Sequence, residues 1–395
     1  MIILFIHNYY QQPGGEDAGV RQERDLLAAD GHKIVEYTRH SSEIALNGYR
    51  SRLRLAAEAQ WSQRTFNELQ ALLDRERPNV AYIHNTVPLI SPSAYYACYE
   101  ASVPVVQTLH NYRLLCPAHS FLRKGQICEE CVDHSLLRSV WHRCYQGSAG
   151  ASAAIALMIA TQRALGTWKE KVSCFIARTE FARAKFIEGG LPSDRIVVKP
   201  CFVHPDPGLR SGSGDSVLFV GRLSVEKGVR TLLAAWKHLN APIPLRIAGI
   251  GPLWEEVQTE IRHRNGCGIE MLGQLPNVET LAQMKQARFL VFPSEWYEGL
   301  PLTVAEAFAC GVPVIASRIG SMIDLIRDRS TGLHFAPGDA LELAAKVEWA
   351  WTHPEEIQEM GLNARREYEA NYTADRNREL LSDIHRRVAR KLTHR

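Results

Sequence analysis

Apolar residues along this chain come in short clusters separated by longer stretches of helical spacing. Ile2–His7 is a strand-like run that leads into Gln12-Pro13-Gly14-Gly15, a turn. From Asp17 to Asp30, Val20, Leu26 and Leu27 fall at helical spacing, and the pattern stops at Gly31. Lys33–Thr38 alternates again, and a polar stretch with scattered arginines follows. Trp61–Asp74 reads as a helix, and Val80–His84 and Val103–Leu109 as strands. In the second half, strands at Val217–Val220, Leu245–Ala248, Ile269–Leu272, Phe289–Pro293 and Val312–Ala316 alternate with helices. Those helices are Gly228–Leu239, Trp254–Arg264, Val278–Gln286 and Thr303–Ala309. Alternation with short connections predicts parallel sheets covered on both faces.

A breaker-rich stretch, Pro200 to Gly208 and then Ser211-Gly212-Ser213-Gly214, separates the two series. The expected class is therefore α/β, with two doubly wound, Rossmann-like domains facing across a cleft. Residues 1–200 form the first domain, 201–215 the linker and 216–374 the second domain. Residues 375–395 are a basic, helix-compatible tail placed to pack back on the first domain. The 395 residues suit two domains. Lys plus Arg (46) nearly balances Asp plus Glu (43), a net +3, which gives no electrostatic case for nucleic-acid binding. The apolar opening MIILFIHNYY lacks a basic leader and a cleavage site, so it reads as a first strand rather than a signal peptide. Ala149 to Gly166 carries Ser152, Thr161, Gln162 and Arg163, which predicts a buried helix rather than a membrane span. The cytoplasm is the expected compartment.

The segment Ser294 to Ala307 carries the most chemistry. A strand leads to a loop with Glu298, Gly299 and Leu300, and a helix starts near Leu302. The uncapped N–H groups and positive end of such a helix favour an anion such as a diphosphate, and Gly299 lets backbone approach a ligand. Glu306 on that helix is a bidentate acceptor suited to ribose hydroxyls. Earlier, a strand ends in Gly221-Arg222-Leu223, with Lys227-Gly228 beyond the turn. A guanidinium and an ammonium suit two neighbouring phosphates. Gly249 and Gly251 mark another tight turn after a strand.

In these residues the chain resembles the family-four retaining glycosyltransferases of the GT-B fold. The matching elements are Gly221-Arg222-Leu223 with Lys227-Gly228, Ala248-Gly249-x-Gly251-Pro252, Glu298-x7-Glu306, and Ala309-Cys310-Gly311-Val312-Pro313-Val314-Ile315, in family order. The resemblance implies a nucleotide-sugar donor, with Glu306 on the ribose, Glu298 on the transferred hexose-type sugar, and Arg222 and Lys227 on the diphosphate. It also implies that Gly14 and Gly15 belong to the N-terminal glycine loop, that His110 lines the sugar pocket, and that no metal is needed for donor binding. Attack on the same face as the departing phosphate, with retention, would follow, and the acceptor would be a saccharide or lipid-linked glycan. The competing readings are a sugar-nucleotide epimerase or phosphorylase, or a non-catalytic nucleotide-sugar-binding protein on this fold.

Cys116, Cys128, Cys131 and Cys144 cluster in an insert at about 112–147 that most members of the family lack. Four thiolates suit a closed structural zinc site, although the spacing is not that of paired Cys-x2-Cys knuckles, and reduced thiols are the alternative. Cys98, Cys174, Cys201, Cys267 and Cys310 read as small core residues. Arg50, Arg52, Arg54 and Arg64, with Leu53 and Leu55, suggest a peripheral contact with anionic lipid or a solvated basic helix.

Overall fold

The structure, a computed structural model, describes residues 1–11, 14–44, 48–263 and 268–392. Gln12, Pro13, Arg264, Cys267 and the last three residues of the expected tail lie outside the described residues. The chain divides into two compact units: Met1–Phe121, Cys128–Lys199 and Arg378–Arg395 in one, Leu122–Ile127 and Pro200–Asn377 in the other.

The first unit is built on parallel strands β1 (Ile2–Tyr9), β2 (Lys33–His40), β3 (Val80–Asn85) and β4 (Val105–Leu109). After a hairpin of two-residue strands, β5 (Leu122–Arg123) and β6 (Gln126–Ile127), come β7 (Cys174–Ala177) and β8 (Ile196–Val198). The spatial order is β2-β1-β3-β4-β7-β8. Its helices are α1 (Gly15–Ala29), α2 (Tyr49–Gln60), α3 (Gln63–Glu76), α4 (Ser93–Glu100), the short α5 (Glu130–Asp133) and α6 (Leu137–Trp141), α7 (Ala149–Ala164), α8 (Thr167–Glu170) and α9 (Glu180–Glu188). Helix α2 fills the polar stretch in which the arginines suggested a basic helix. The apolar Ala149 run is a helix of 16 residues capped by Ser148. No described helix is long and apolar enough to cross a membrane.

The second unit carries β9 (Ser216–Val220), β10 (Leu245–Ala248), β11 (Ile269–Gly273), β12 (Ala287–Phe292), β13 (Val314–Ser317) and β14 (Gly332–Phe335). Its sheet order, β11-β10-β9-β12-β13-β14, is the 3-2-1-4-5-6 order of a dinucleotide-binding fold. Period-two side-chain alternation explains why both faces are covered. Val217, Phe219, Ile247, Val291 and Ile315 pack on one face with α10 (Val229–Lys237), α11 (Trp254–His263) and α15 (Ala340–Thr352). Leu218, Leu290, Phe292, Val314 and Ala316 pack on the other with α12 (Asn277–Gln286), α13 (Leu302–Ala309) and α14 (Met322–Leu325). Helix α16 (Pro354–Asn371) supplies both faces, Ile357 and Met360 to the first and Ala364 and Tyr368 to the second.

The last helix, α17 (Ala374–Leu392), is mostly charged but buries Leu381, Ile384 and Val388 at helical spacing. Within the first unit, His385 Nε2 meets the Tyr82 hydroxyl at 2.8 Å and Arg378 reaches Asp30 at 2.9 Å.

The same unit contains a buried ion pair. Lys199 Nζ lies 2.7 Å from Glu23 Oε2, both almost without exposure, and the Arg178 guanidinium is 3.7 Å from the same oxygen. Burial alone would raise the Glu23 carboxyl, but Lys199 and then Arg178 overcome it and hold it down to about 2. A carboxylate depressed on folding contributes stability that is complete above its unfolded value and is lost as pH falls toward its folded one. Stability from this pair is therefore present above about pH 4.5 and disappears toward pH 2. Lys199→Met leaves Glu23 with only the more distant arginine and should cost about 3–5 kcal/mol in urea unfolding at pH 7. In that variant the loss of stability on acidification from pH 5 to pH 2 should also flatten.

Candidate functional site

Ligands in doubly wound sheets bind beyond the carboxyl ends of the strands, where the strand order reverses. In the second unit that point is between β9 and β12, and both charged motifs lie there. Gly221 and Arg222 follow β9, and the Ser294–Glu298 segment follows β12.

The loops are locked to each other by backbone contact. Gly228 has φ +68°, and a Cβ there would sit 1.8 Å from the Pro293 carbonyl oxygen. Gly249 has φ +141°, and its Cβ would sit 1.9 Å from the Gly221 carbonyl oxygen. Gly251 lies similarly close to Leu223. Hydrogen bonds follow the same seams, with Glu295 N–H donating to the Glu226 carbonyl at 2.9 Å and Leu223 N–H to the Ile250 carbonyl at 3.0 Å. Three loops far apart in sequence thus form one rigid rim.

On that rim Glu298 Oε1 accepts three hydrogen bonds, each 2.6 Å long, from Lys227 Nζ, Ser294 Oγ and Trp296 Nε1. Lys227 also lies 5.5 Å from the Trp296 ring centroid. The Ser321 hydroxyl donates to the Glu298 carbonyl at 2.7 Å. Arg222 is half exposed and bound to Glu226 at 2.9 Å. Glu306, the fifth residue of α13, is buried and accepts from Asn277 Nδ2 at 2.7 Å. Burial raises its carboxyl, and the Asn277 bond partly offsets this. Helix α13 begins after Pro301, and no side chain caps its N-terminus. The sequence-predicted Lys227 and Glu298 are therefore in direct contact, whereas Arg222 and Glu306 are held by other partners. Ser294 and Trp296 lay unremarked inside the quoted segment. Asn277 and Glu226 carried no signal beyond polarity at a turn.

In the first unit the strand order reverses between β1 and β3. His110, just past β4, accepts or donates at 2.9 Å to His84 Nδ1 at the end of β3. Burial, then Arg178 and His84, pushes His110 well below the usual imidazole range, so it is neutral. A pocket beside it is lined by His84, Tyr95, Gln107, Asn111 and Trp168. His7 on β1 meets Asp17 at 2.8 Å, both buried. Gly14 is the N-cap of α1 and Gly15 its first residue, and a Cβ on either would meet nothing within 4 Å. Beside them the Glu16 carboxyl takes the Tyr10 hydroxyl at 3.1 Å and Asn111 Nδ2 at 3.2 Å, and burial pushes it up to about 7.

The four clustered cysteines come together around Cys131. Burial, followed by the Cys116, Cys144 and Cys128 thiols, pushes it up to about 12. Backbone N–H groups of Phe121, Ala118 and Ser120 act against burial at Cys116. Among the described residues, no three His, Cys, Asp or Glu side chains are arranged to hold a metal ion. No disulfide joins Cys116, Cys128, Cys131 and Cys144. Cys98, Cys174 and Cys310 are core residues as expected, while Cys201 is half-buried.

Comparison with known proteins agrees with this arrangement. Residues 207–367 match the family described as glycosyl transferases group 1, and residues 13–207 match glycosyltransferase family 4. The chain belongs to the family-four glycosyltransferases. It is 30% identical over 159 residues to D-rhamnosyltransferase WbpZ of Pseudomonas aeruginosa, covering 40% of this chain and 41% of that one. It is 34% identical over 167 residues to glycogen synthase of Mycobacterium tuberculosis (41% and 40% covered). The matched stretches therefore span about 40% of these relatives' length. In fold it is similar to sucrose-phosphate synthase of Thermosynechococcus elongatus (TM-score 0.73, 18% identity, 99% of each chain). It is also similar to Anabaena HepE in complex with UDP-glucose (TM-score 0.66, 17% identity, 100% of each chain). The GT-B fold is thereby shown.

The glycine contacts give a test of the rim. Gly228→Ala and Gly249→Ala should each lower stability by about 2–4 kcal/mol in chemical denaturation, because backbone must move. Gly15→Ala, with open space around it, should change stability by less than about 1 kcal/mol.

Proposed function

We propose that this chain transfers a hexose-type sugar from a nucleoside-diphosphate sugar to a saccharide or lipid-linked acceptor during glycan assembly, with retention of anomeric configuration. The observation that carries the reading is the Lys227–Glu298 contact on a rim that ends at the uncapped N-terminus of α13. In this reading Lys227 leaves Glu298 for the diphosphate when donor binds, joined by Arg222. The backbone at Gly299 and Leu300 and the helix N-terminus take the remaining phosphate charge. Glu298, relieved of one partner, accepts from hydroxyls of the transferred sugar while Ser294 and Trp296 keep it oriented. Glu306, held by Asn277, receives the two ribose hydroxyls. Gly221, Gly249 and Gly251 let the nucleotide approach backbone. In the first unit His110, neutral and so able both to donate and to accept, is assigned to the transferred sugar, and Gly14 and Gly15 to the loop beside the phosphates.

Chemically, the bond between the anomeric carbon and the phosphate lengthens first, leaving oxocarbenium character on the sugar and negative charge on the diphosphate. Fixed positive charge and N–H dipoles stabilise that charge at little reorganisation cost. The acceptor oxygen bonds to the anomeric carbon on the face the phosphate is leaving, and its proton passes to the departing phosphate oxygen. Named relatives support the reading by their chemistry: a rhamnosyltransferase, a glycogen synthase and an O-antigen mannosyltransferase all transfer sugars.

Calorimetry with UDP, GDP and ADP tests it. One nucleotide should bind, and Glu306→Ala should weaken it about 10- to 100-fold, the value of one or two hydrogen bonds to a charged acceptor. Because folding raises the Glu306 carboxyl, affinity should fall on acidification at a higher pH than an ordinary carboxylate would give, and further up still in Asn277→Ala. Absence of binding to all three nucleotides, with the protein folded, would move the reading to a relic of the fold.

A further inference from the structure

A cavity lies at the carboxyl ends of β3 and β4, walled on its other sides by side chains from α4, α7 and α8. Its volume is about 40 Å³. By the measure in which one water needs about 10–15 Å³, it takes roughly three waters or one small organic group. Val87, Leu109, Leu114, Met158 and the Trp168 indole give it apolar walls, and all five are buried. Pockets of this kind take their specificity from the few polar groups set into the apolar lining.

The polar side chains at its partly exposed rim are engaged within the chain. Asn85 donates to the Asn8 carbonyl at 2.9 Å and accepts from Val87 N–H at 3.0 Å. Asn111 donates to Glu16 at 3.2 Å and accepts from Arg113 N–H at 3.0 Å. The Arg113 guanidinium donates to the Pro117 carbonyl at 2.6 Å and lies over the Tyr145 ring. Two residues of β4 differ. Gln107 Oε1 and Thr108 Oγ1 are buried with no hydrogen-bond partner among the described residues. Side chains alternate across a strand, so these two point to opposite faces, and Gln107 shares its face with Leu109. Gln107 is 5% exposed and lines the cavity. A half-turn about its terminal bond exchanges oxygen and NH2, so the carboxamide can present an acceptor or donors to whatever enters.

We propose that this cavity receives the acetamido group of an N-acetylated amino sugar, recognised by the Gln107 carboxamide. One planar amide pairs with another: the ligand N–H donates to the Gln107 oxygen, or the ligand carbonyl accepts from its NH2, and the acetyl methyl lies against Met158, Leu109 and Leu114. A lone sugar hydroxyl would fill only about one-third of the space and leave the apolar walls wet. A carboxylate or phosphate would find the rim cation, Arg113, already held by a carbonyl and a ring. The inference rests on the proposed sugar transfer for the role of that sugar. The group belongs either to the transferred sugar or to the acceptor, and the chemistry of the cavity is the same for both.

Saturation-transfer NMR on the full-length chain is the test, with N-acetylglucosamine, N-acetylgalactosamine and N-acetylmannosamine as probes, each with and without UDP, GDP and ADP. The acetyl methyl of at least one probe should be saturated most strongly, and the matching plain hexose should bind at least about tenfold more weakly. Gln107→Leu keeps the volume and removes the amide, and Met158→Phe fills the cavity. Each should weaken the amino sugar at least about tenfold and leave affinity for the bare nucleotide unchanged. Gln107→Leu should melt no lower than wild type, because it removes a buried polar atom that has no partner. A nucleoside-diphosphate amino sugar held at least about tenfold more tightly than its plain counterpart, with the difference erased by Gln107→Leu, places the group on the transferred sugar. Equal affinity for the two conjugates, with the free amino sugar bound beside the bare nucleotide, places it on the acceptor. No methyl saturation by any probe or conjugate overturns the inference, and nucleotide binding in the same samples then shows that the donor reading survives it. Saturation indifferent to both substitutions also overturns it.

Discussion

The site in the second unit depends on a constraint that involves no functional side chain. Backbone from three separate loops meets at distances that leave no room for a Cβ at Gly228 or Gly249. Because those approaches fix where β9, β10 and β12 end relative to each other, Lys227, Ser294 and Trp296 can converge on one oxygen of Glu298. A carboxylate with three donors on one oxygen is strongly oriented. It is also poised, since the donor with the longest and most flexible arm, Lys227, is the one a diphosphate would attract.

The two units use one topological device in two versions. In the second unit strand order reverses between β9 and β12, and in the first between β1 and β3. Each reversal opens a crevice at the carboxyl ends of the strands, and the polar residues singled out in each unit lie there. The balance of charge differs between them. The second unit's crevice offers a lysine, an arginine and an uncapped helix end. The first offers His110, pushed by burial well below the usual imidazole range, a carboxyl pushed up to about 7, and glycines with open space around them. The former is chemically suited to an anion, and the latter to uncharged hydroxyls.

Much of this was legible in the chain. Strands with both faces buried leave continuous apolar runs, so β9, β10, β12 and β13 were recognisable, with ends within about two residues. The donor motifs were legible because glycines at fixed offsets from strand ends have few other uses. What escaped had weaker signals. The arginines of α2 suggested a basic helix, but not its extent to Gln60 or its packing against α7. Asn277 was missed because its partner, Glu306, is 29 residues away and only the fold brings them together. The Lys199–Glu23 pair joins residues 176 apart and had no local mark at all. For the cysteines, the spacing announced a cluster, and Cys116, Cys128 and Cys144 do lie close enough to act on Cys131.

The central claim is that Glu298 addresses the transferred sugar while Glu306 and the cations address the nucleotide. The most direct measurement compares Glu298→Gln with wild type in two assays: affinity for the bare nucleoside diphosphate, and turnover of the matching nucleotide sugar, read as nucleotide release. The account predicts affinity for the bare nucleotide within about threefold of wild type and a loss of turnover of about a hundredfold or more. Unchanged turnover, or an affinity for the bare nucleotide that collapses together with turnover, would contradict it.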